Sequence, residues 1–215
     1  MTRFKEAPGR PGIEQGVLDE LSDEQLFARY QRGDAKAYEV LLGRHYQPVF
    51  NFLLRYTGDR SAAEDLLQDV FMRVIRGAKE YQQRAKFTTW LYTIARNITI
   101  DAARKQKFRR HLSLDQSLNG EEDGVRLMDS VKDERPEGMG DRRLADTQFT
   151  RALNDALGKM NEDQRMVFVL REFQSLSFAE IADVVKAPEN TIKSRMRYAL
   201  EFLRTALKDF ADETL

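Results

Sequence analysis

The stretch SFAEIADVVKAPENTIKSRMRYALEFLR, residues 177–204, decides the fold class. Ser177 and Glu180 stand in the S-x-x-E arrangement of a capping box, so a helix starts here. Phe178, Ile181, Ala182 and Val185 then recur at i, i+3, i+4 and i+7, a short apolar face. Lys186 to Asn190 form a turn around Pro188, which ends the first helix and sets the angle of the second. Asn190 either caps the next helix or takes a left-handed conformation. Apolar spacing resumes with Ile192, Met196, Leu200 and Leu203.

The opposite side of this second helix carries Thr191, Lys193, Ser194, Arg195, Arg197 and Tyr198. A helix N-terminus already bears partial positive charge and normally favours acids nearby. Cations gathered there need an external anion. In a helix-turn-helix the second helix enters the major groove with its N-terminal residues on base edges, and phosphates supply that charge. The plainer alternative is a solvated basic face on a core helix. The capped helix before it, the proline turn and the core spacing together favour DNA.

Working outward, residues 1–21 hold prolines and glycines without periodicity and read as a flexible extension. Ser22 with Gln25 forms a capping box, and Leu21 and Leu26 sit as a hydrophobic staple. The helix that follows stops at Gly33. Asp34 caps the next one, which carries an apolar face through Leu54, contains Pro48 and ends at Gly58. Ser61 and Glu64 read as another capping box. They open a helix with Leu66, Leu67, Val70, Phe71, Val74 and Ile75 inward. A further helix, FTTWLYTIARNITIDAARK, places Leu91, Ile94, Ala95, Ile98 and Ala102 inward.

From Ser113 to Asp146, ten acids face five bases among scattered glycines. Such a composition buries too little apolar surface to offset ordering entropy, so residues 113–145 read as an acidic linker. Helical patterns resume and continue to Phe210. No strand pattern stands out. The expectation is an all-α chain of two small helical domains, residues 22–112 and 146–215, joined by a tether that leaves their spacing undefined.

The 215-residue chain is 41% hydrophobic and 33% charged, with no cysteine. No disulfide framework or thiolate chemistry is available. No stretch approaches a membrane span, and the N-terminus has no secretory signal. These features point to a cytoplasmic protein without membrane insertion. His45 and His111 lie far apart and no glycine-rich phosphate loop occurs. Neither a metal site nor any other cofactor is expected, and no carboxylate sits in the apolar setting of a general acid. That counts against a small helical hydrolase or nuclease. The net charge is zero, with 35 basic and 35 acidic residues. Its uneven distribution is what matters.

Residues 177–204 resemble the fourth region of bacterial sigma-70-type factors, specifically the small extracytoplasmic-function group. AAEDLLQDVFMRVIR, residues 62–76, and FTTWLYTIARNITIDAARK, residues 87–105, resemble the second region of the same group. Order, intervening linker and overall length match as well. The resemblance implies a non-enzymatic transcription initiation factor that binds core RNA polymerase and promoter DNA, with an anti-sigma factor as regulator. It departs from the family pattern at Asn190, where glycine is usual; asparagine tolerates positive φ better than most residues.

By the same resemblance, Asp65, Gln68, Asp69, Phe71 and Met72 would contact polymerase. Helix capping accounts for Glu64 but not for Gln68, Asp69 and Met72 further along. Residues 84–110 carry eight cations against one acid, with Phe87, Trp90 and Tyr92 interleaved. Cations track a nucleic-acid backbone while aromatics stack on bases, a combination suited to the single strand of a melted −10 element. Arg84, Lys86, Phe87, Thr88, Trp90, Arg96 and Asn97 are the candidates there. Trp90 begins a helix with an apolar inner face and reads as core first; Phe87 stands open between core and stacking. Thr191, Lys193, Ser194, Arg195, Arg197 and Tyr198 would read the −35 element. The competing reading is a homodimeric helix-turn-helix regulator acting without polymerase. Neutral overall charge and undefined domain spacing also imply weak promoter binding by the free chain.

Overall fold

The computed structural model describes residues 16–82, 85–114, 140–208 and 210, without the side chains of 106–114 and 140–147. Arg84, residues 1–15 and residues 115–139 of the acidic segment lie outside the described residues. Among the described residues, eight α-helices follow a short helical turn at 16–19: α1 (Asp23–Gln31), α2 (Ala35–Thr57), α3 (Arg60–Gly77), α4 (Phe87–Leu114), α5 (Gly140–Lys159), α6 (Glu162–Glu172), α7 (Phe178–Val185) and α8 (Glu189–Ala206). No strand occurs among the described residues. The protein is all-α, with α1–α4 forming one helical domain and α5–α8 the other.

Local chemistry explains most helix ends. The Ser22 hydroxyl accepts from the Gln25 amide at 3.3 Å, while Gln25 Oε1 accepts from the Ser22 amide at 2.9 Å. Ser177 and Glu180 repeat this reciprocal arrangement ahead of α7. Asp34 caps α2, and Gly58 ends it at φ 65°, a left-handed position that glycine occupies without penalty. The start of α3 differs from the expectation. Asp59, not Ser61, is the cap: its Oδ1 accepts from the Ala62 amide at 2.7 Å. Asp59 lies in the extended conformation a cap requires, so Ser61 already falls inside the helix and Glu64 pairs with Arg60 at 2.9 Å.

The two ends of the chain segments also shift. Leu18 is buried and residues 16–19 are helical, so order begins before Ser22. Helices α4 and α5 reach into the segment read as linker, to Leu114 and from Gly140. A helix that has already nucleated adds one hydrogen bond per further residue, so polar composition alone does not end it.

The first domain closes around Leu26, Phe27, Leu41, Phe52, Leu53, Leu67, Phe87 and Leu91, all essentially inaccessible. The second closes around Leu157, Leu170, Ile181 and Ile192. Two residues read as inward face out. Ile75 is 39% exposed and Leu200 46%, with Ala199 taking the inward place beside Ile192, Met196 and Leu203. Both exposed residues lie at the edge of the apolar stripe, where one helical step decides the side.

The buried residues of the two domains form one continuous cluster. Their seam runs between α2 and α4 on one side and α5, α6 and α7 on the other. The Arg55 guanidinium lies 3.8 Å from the centre of the Phe173 ring, and that of Arg165 lies 4.7 Å from the Tyr56 ring. Tyr92 donates its hydroxyl to Gln174 Oε1, whose amide nitrogen lies 3.5 Å from the Pro48 carbonyl. Domain spacing is therefore fixed by packing. The expectation of undefined spacing considered the tether alone and could not register a seam made of residues some 80 to 130 positions apart.

Candidate nucleic-acid interface

The α7–α8 unit has the helix-turn-helix order the sequence predicts, with one change at the turn. The left-handed residue is Lys186, at φ 58° and ψ 48°, and Pro188 stands at the N-cap of α8 without a side-chain cap. Asn190 is neither cap nor left-handed. It lies in the first turn of α8, where its carbonyl accepts from Ser194 Oγ at 3.0 Å. Proline at 188 supplies a preset φ, and the helix begins two residues earlier than with Asn190 as its cap.

The cations of α8 are not equivalent. Lys193 Nζ pairs with Glu189 Oε1 at 2.7 Å, one turn back on the same exposed face. Arg195 is half-buried and pairs with Asp163 in the first turn of α6, so it ties α8 to α6. Arg197 is exposed; its guanidinium packs 4.9 Å from the Tyr198 ring and its Nη2 lies 3.2 Å from the Tyr198 hydroxyl. Thr191 is half-buried, and Ser194 and Tyr198 are exposed. Arg197 and Tyr198 thus form the outward pair, and Lys193 reaches outward once it leaves Glu189.

At the start of α4 the aromatics are packed. Phe87 is 1% exposed, ringed by Phe27, Tyr81, Trp90 and His45 at centroid distances of 5.0–6.4 Å. Of its two readings, core prevails, because it enters the helix on the same stripe as Leu91, Ala95 and Ile98. Trp90 is half-buried and lies against Gly77, where a Cβ would meet the indole at 3.1 Å, so a larger residue there would have to displace the ring by a few tenths of an ångström. Tyr81 extends the cluster and donates its hydroxyl to the Ala85 carbonyl at 3.0 Å.

The polar candidates of α4 divide between the two sides. Asn97 is exposed, and Thr88 is half-buried. Arg96 is half-buried: its Nη1 donates to Asn97 Oδ1 at 3.2 Å while its Nε is buried without a protein partner. Thr89 and Tyr92 are buried, Tyr92 at the seam against Gln174, and burial raises the Tyr92 phenol well above its ordinary value. Lys86 is exposed and its ammonium lies 2.9 Å from Glu180 Oε1 of α7. Burial raises the Glu180 carboxyl, but the Ser177 donors and the Lys86 ammonium outweigh it and hold the group at about 2.

The ridge on α3 has two parts. Asp65, Gln68 and Asp69 are exposed and form its polar side. Beside them Met72, Ile75 and Tyr46, 39–48% exposed, form an apolar side. Phe71, expected on the contact surface, is 9% exposed and belongs to the core, stacked parallel to Tyr46 at 6.4 Å. Tyr46 and Ile75 stand exposed here although both belong to apolar periodicities that read as inward. Among the described residues no cluster of metal-ligating side chains occurs, and no helix is long and apolar enough to cross a membrane.

One domain carries an acidic and apolar ridge, and the other a helix-turn-helix, the arrangement of a DNA-binding transcription factor. A Sigma-70 region 2 family model matches residues 41–109 and a Sigma-70, region 4 model matches residues 150–203. Together they cover more than half of the chain. The chain is 29% identical over 199 residues to the RNA polymerase sigma-H factor of Pseudomonas aeruginosa, covering 92% of this chain and 100% of that one. It is 28% identical over 194 residues to the ECF RNA polymerase sigma-E factor of Haemophilus influenzae, covering 89% and 98%. Its fold matches the sigma factor RpoE of Bartonella quintana, solved in complex with the anti-sigma factor NepR, with a TM-score of 0.64 at 21% identity, over 80% of this chain and 98% of that one. The chain belongs to the sigma-70 family of RNA polymerase sigma factors, in its extracytoplasmic-function group.

Proposed function

We propose that this sigma factor docks on core RNA polymerase through the α3 ridge, with Asp65, Gln68, Asp69 and Met72 in contact and Tyr46 and Ile75 completing the apolar part. Large exposed apolar side chains gathered beside acids, on a domain with a complete core of its own, are the observation that carries this reading. Arg197 and Tyr198, with Lys193, Thr191 and Ser194, read the −35 element from the N-terminal half of α8. Arg195 sets the angle of that helix through Asp163. Lys86, Thr88, Arg96 and Asn97 engage the −10 element, together with Arg84. The factor performs no catalysis of its own and works in the cytoplasm.

The closed seam belongs to the free chain. Lys86 and the Tyr92 side of α4 are held by α7, and polymerase separates the domains to release them. The free chain therefore binds promoter DNA weakly, because α4 is packed against α7 and Lys86 is paired with Glu180, and not because the domain spacing is undefined. An anti-sigma factor is the proposed regulator, supported by the fold shared with a sigma factor solved in such a complex. Reconstitution with core polymerase tests the reading: the chain confers promoter-specific initiation that core alone lacks. Tight binding to a palindromic operator without polymerase would overturn it in favour of the homodimeric regulator.

A further inference from the structure

Three residues of α1, spaced at i, i+3 and i+7 on one face, hold the connection between α3 and α4 at both ends. Gln31 Nε2 donates to the Ala78 carbonyl at 2.6 Å and lies 3.2 Å from the Tyr81 carbonyl, where the chain leaves α3. Phe27, with no exposed surface, packs edge-on to Tyr81 at 5.1 Å and against Phe87 at 5.0 Å and Trp90 at 5.4 Å. Glu24 Oε1 accepts from the Phe87 backbone amide at 2.9 Å, where the chain enters α4.

The last contact solves a local problem. The first amides of a helix lack intrahelical partners, and the residue before α4 is Lys86, whose side chain has no acceptor. Glu24 supplies the missing acceptor from a different helix. Its negative charge also suits the positive end of the α4 dipole. Gln31 acts at the other end in the same way, satisfying two carbonyls as α3 runs out.

We propose that Glu24 and Gln31 are positioning residues for promoter opening: α1 fixes the chain where it leaves α3, at Ala78 and Tyr81, and where it enters α4, at Phe87, so that Lys86 and Thr88 meet the −10 strand in a ready geometry. This rests on the sigma-factor reading. Neither residue touches DNA. Their effect is to remove the ordering cost that an unheld connection would add to strand capture.

The test uses the full-length chain reconstituted with core polymerase, in wild-type form and as Glu24→Ala, Glu24→Gln and Gln31→Ala. Three quantities are measured: affinity for core, affinity of holoenzyme for duplex upstream promoter DNA, and affinity for the single nontemplate strand across the −10 element of a promoter the wild-type holoenzyme selects. Expected is a loss of about tenfold in strand affinity for each alanine variant, the order of one poorly presented base, with the first two quantities unchanged. Glu24→Gln keeps an acceptor and falls between. Unchanged strand affinity in both alanine variants overturns the assignment, as does an equal fall in all three quantities, which marks general unfolding. A wild-type chain that does not assemble with core overturns the sigma reading itself.

Discussion

Lys86 at the start of α4 and Glu180 in the first turn of α7 form an ion pair at 2.9 Å that crosses the seam between the two domains. Lys86 is exposed, so solvent and salt screen the pair, and it contributes little by itself. The Arg55–Phe173 and Arg165–Tyr56 contacts are better sheltered, and cation–π pairs strengthen to about 2 kcal/mol when desolvated. Lys86→Ala should leave the domains closed at physiological salt, while Arg55→Ala with Arg165→Ala opens them. The chain has no native cysteine, so fluorophores on Arg73→Cys and Glu201→Cys report the distance directly. Opening by Lys86→Ala alone would reverse this ranking.

The same pair has a defined pH response. The Glu180 carboxyl is depressed from 4.5 to about 2. A depressed carboxylate contributes its stability in full above its ordinary value and loses it as pH falls through the folded one. The Glu180 contribution should be constant from pH 5 upward and disappear between about pH 4.5 and 2. Acid titration of the melting temperature against a Glu180→Gln variant checks this, and a midpoint near neutrality would contradict it.

Asp23 gives a second acid-dependent term inside the first domain. It accepts from Arg44 Nη1 at 3.0 Å and meets His45 Nε2 at 2.6 Å. Burial raises its carboxyl, but His45 and Arg44 outweigh that and leave it below 3.8. Its contribution is complete above that value and is lost on acidification beneath it. Asp23→Asn should cost about 1–3 kcal/mol at neutral pH and flatten the acid limb of the melting curve. An unchanged melting temperature would show that the cluster does not hold α1 in place.

Arg197→Ala should cost about 1–3 kcal/mol of promoter affinity and relax specificity at one position of the −35 element. Lys193→Ala should weaken binding uniformly and lower its salt dependence, less so because Glu189 already neutralises part of its charge. Equal selectivity in wild type and Arg197→Ala, measured on a library of −35 sequences, would move base reading elsewhere.

Asp69→Lys should reduce assembly with core polymerase and leave the melting temperature nearly unchanged, because Asp69 is exposed on α3 and makes no ion pair among the described residues. Phe87→Ala should do the opposite. As a core ring it costs about 3–5 kcal/mol of stability and lowers activity equally on duplex and pre-melted templates.

The helix-turn-helix was legible because its signals are local: a capping box, an apolar face and a proline within a single stretch. The caps at Ser22, Asp34 and Ser177 were legible for the same reason. What the sequence hid is long-range. Nothing near Phe87 reveals that Glu24, far earlier in the chain, accepts from its amide, or that Asp163 claims Arg195. Phe87 itself shows the limit of aromatic-basic patterning: core and base-stacking rings share the same neighbours in sequence, and only packing separates them.

The seam between the domains is incompletely satisfied. The Nε atoms of Arg55 and Arg165 are buried there without a protein partner. A buried donor left unpaired costs about 1–3 kcal/mol, a charge the closed form carries and the open form sheds to water. A fully matched seam would have made a kinetic trap. This one is spring-loaded, so a competitor for either face meets a molecule already part of the way toward release.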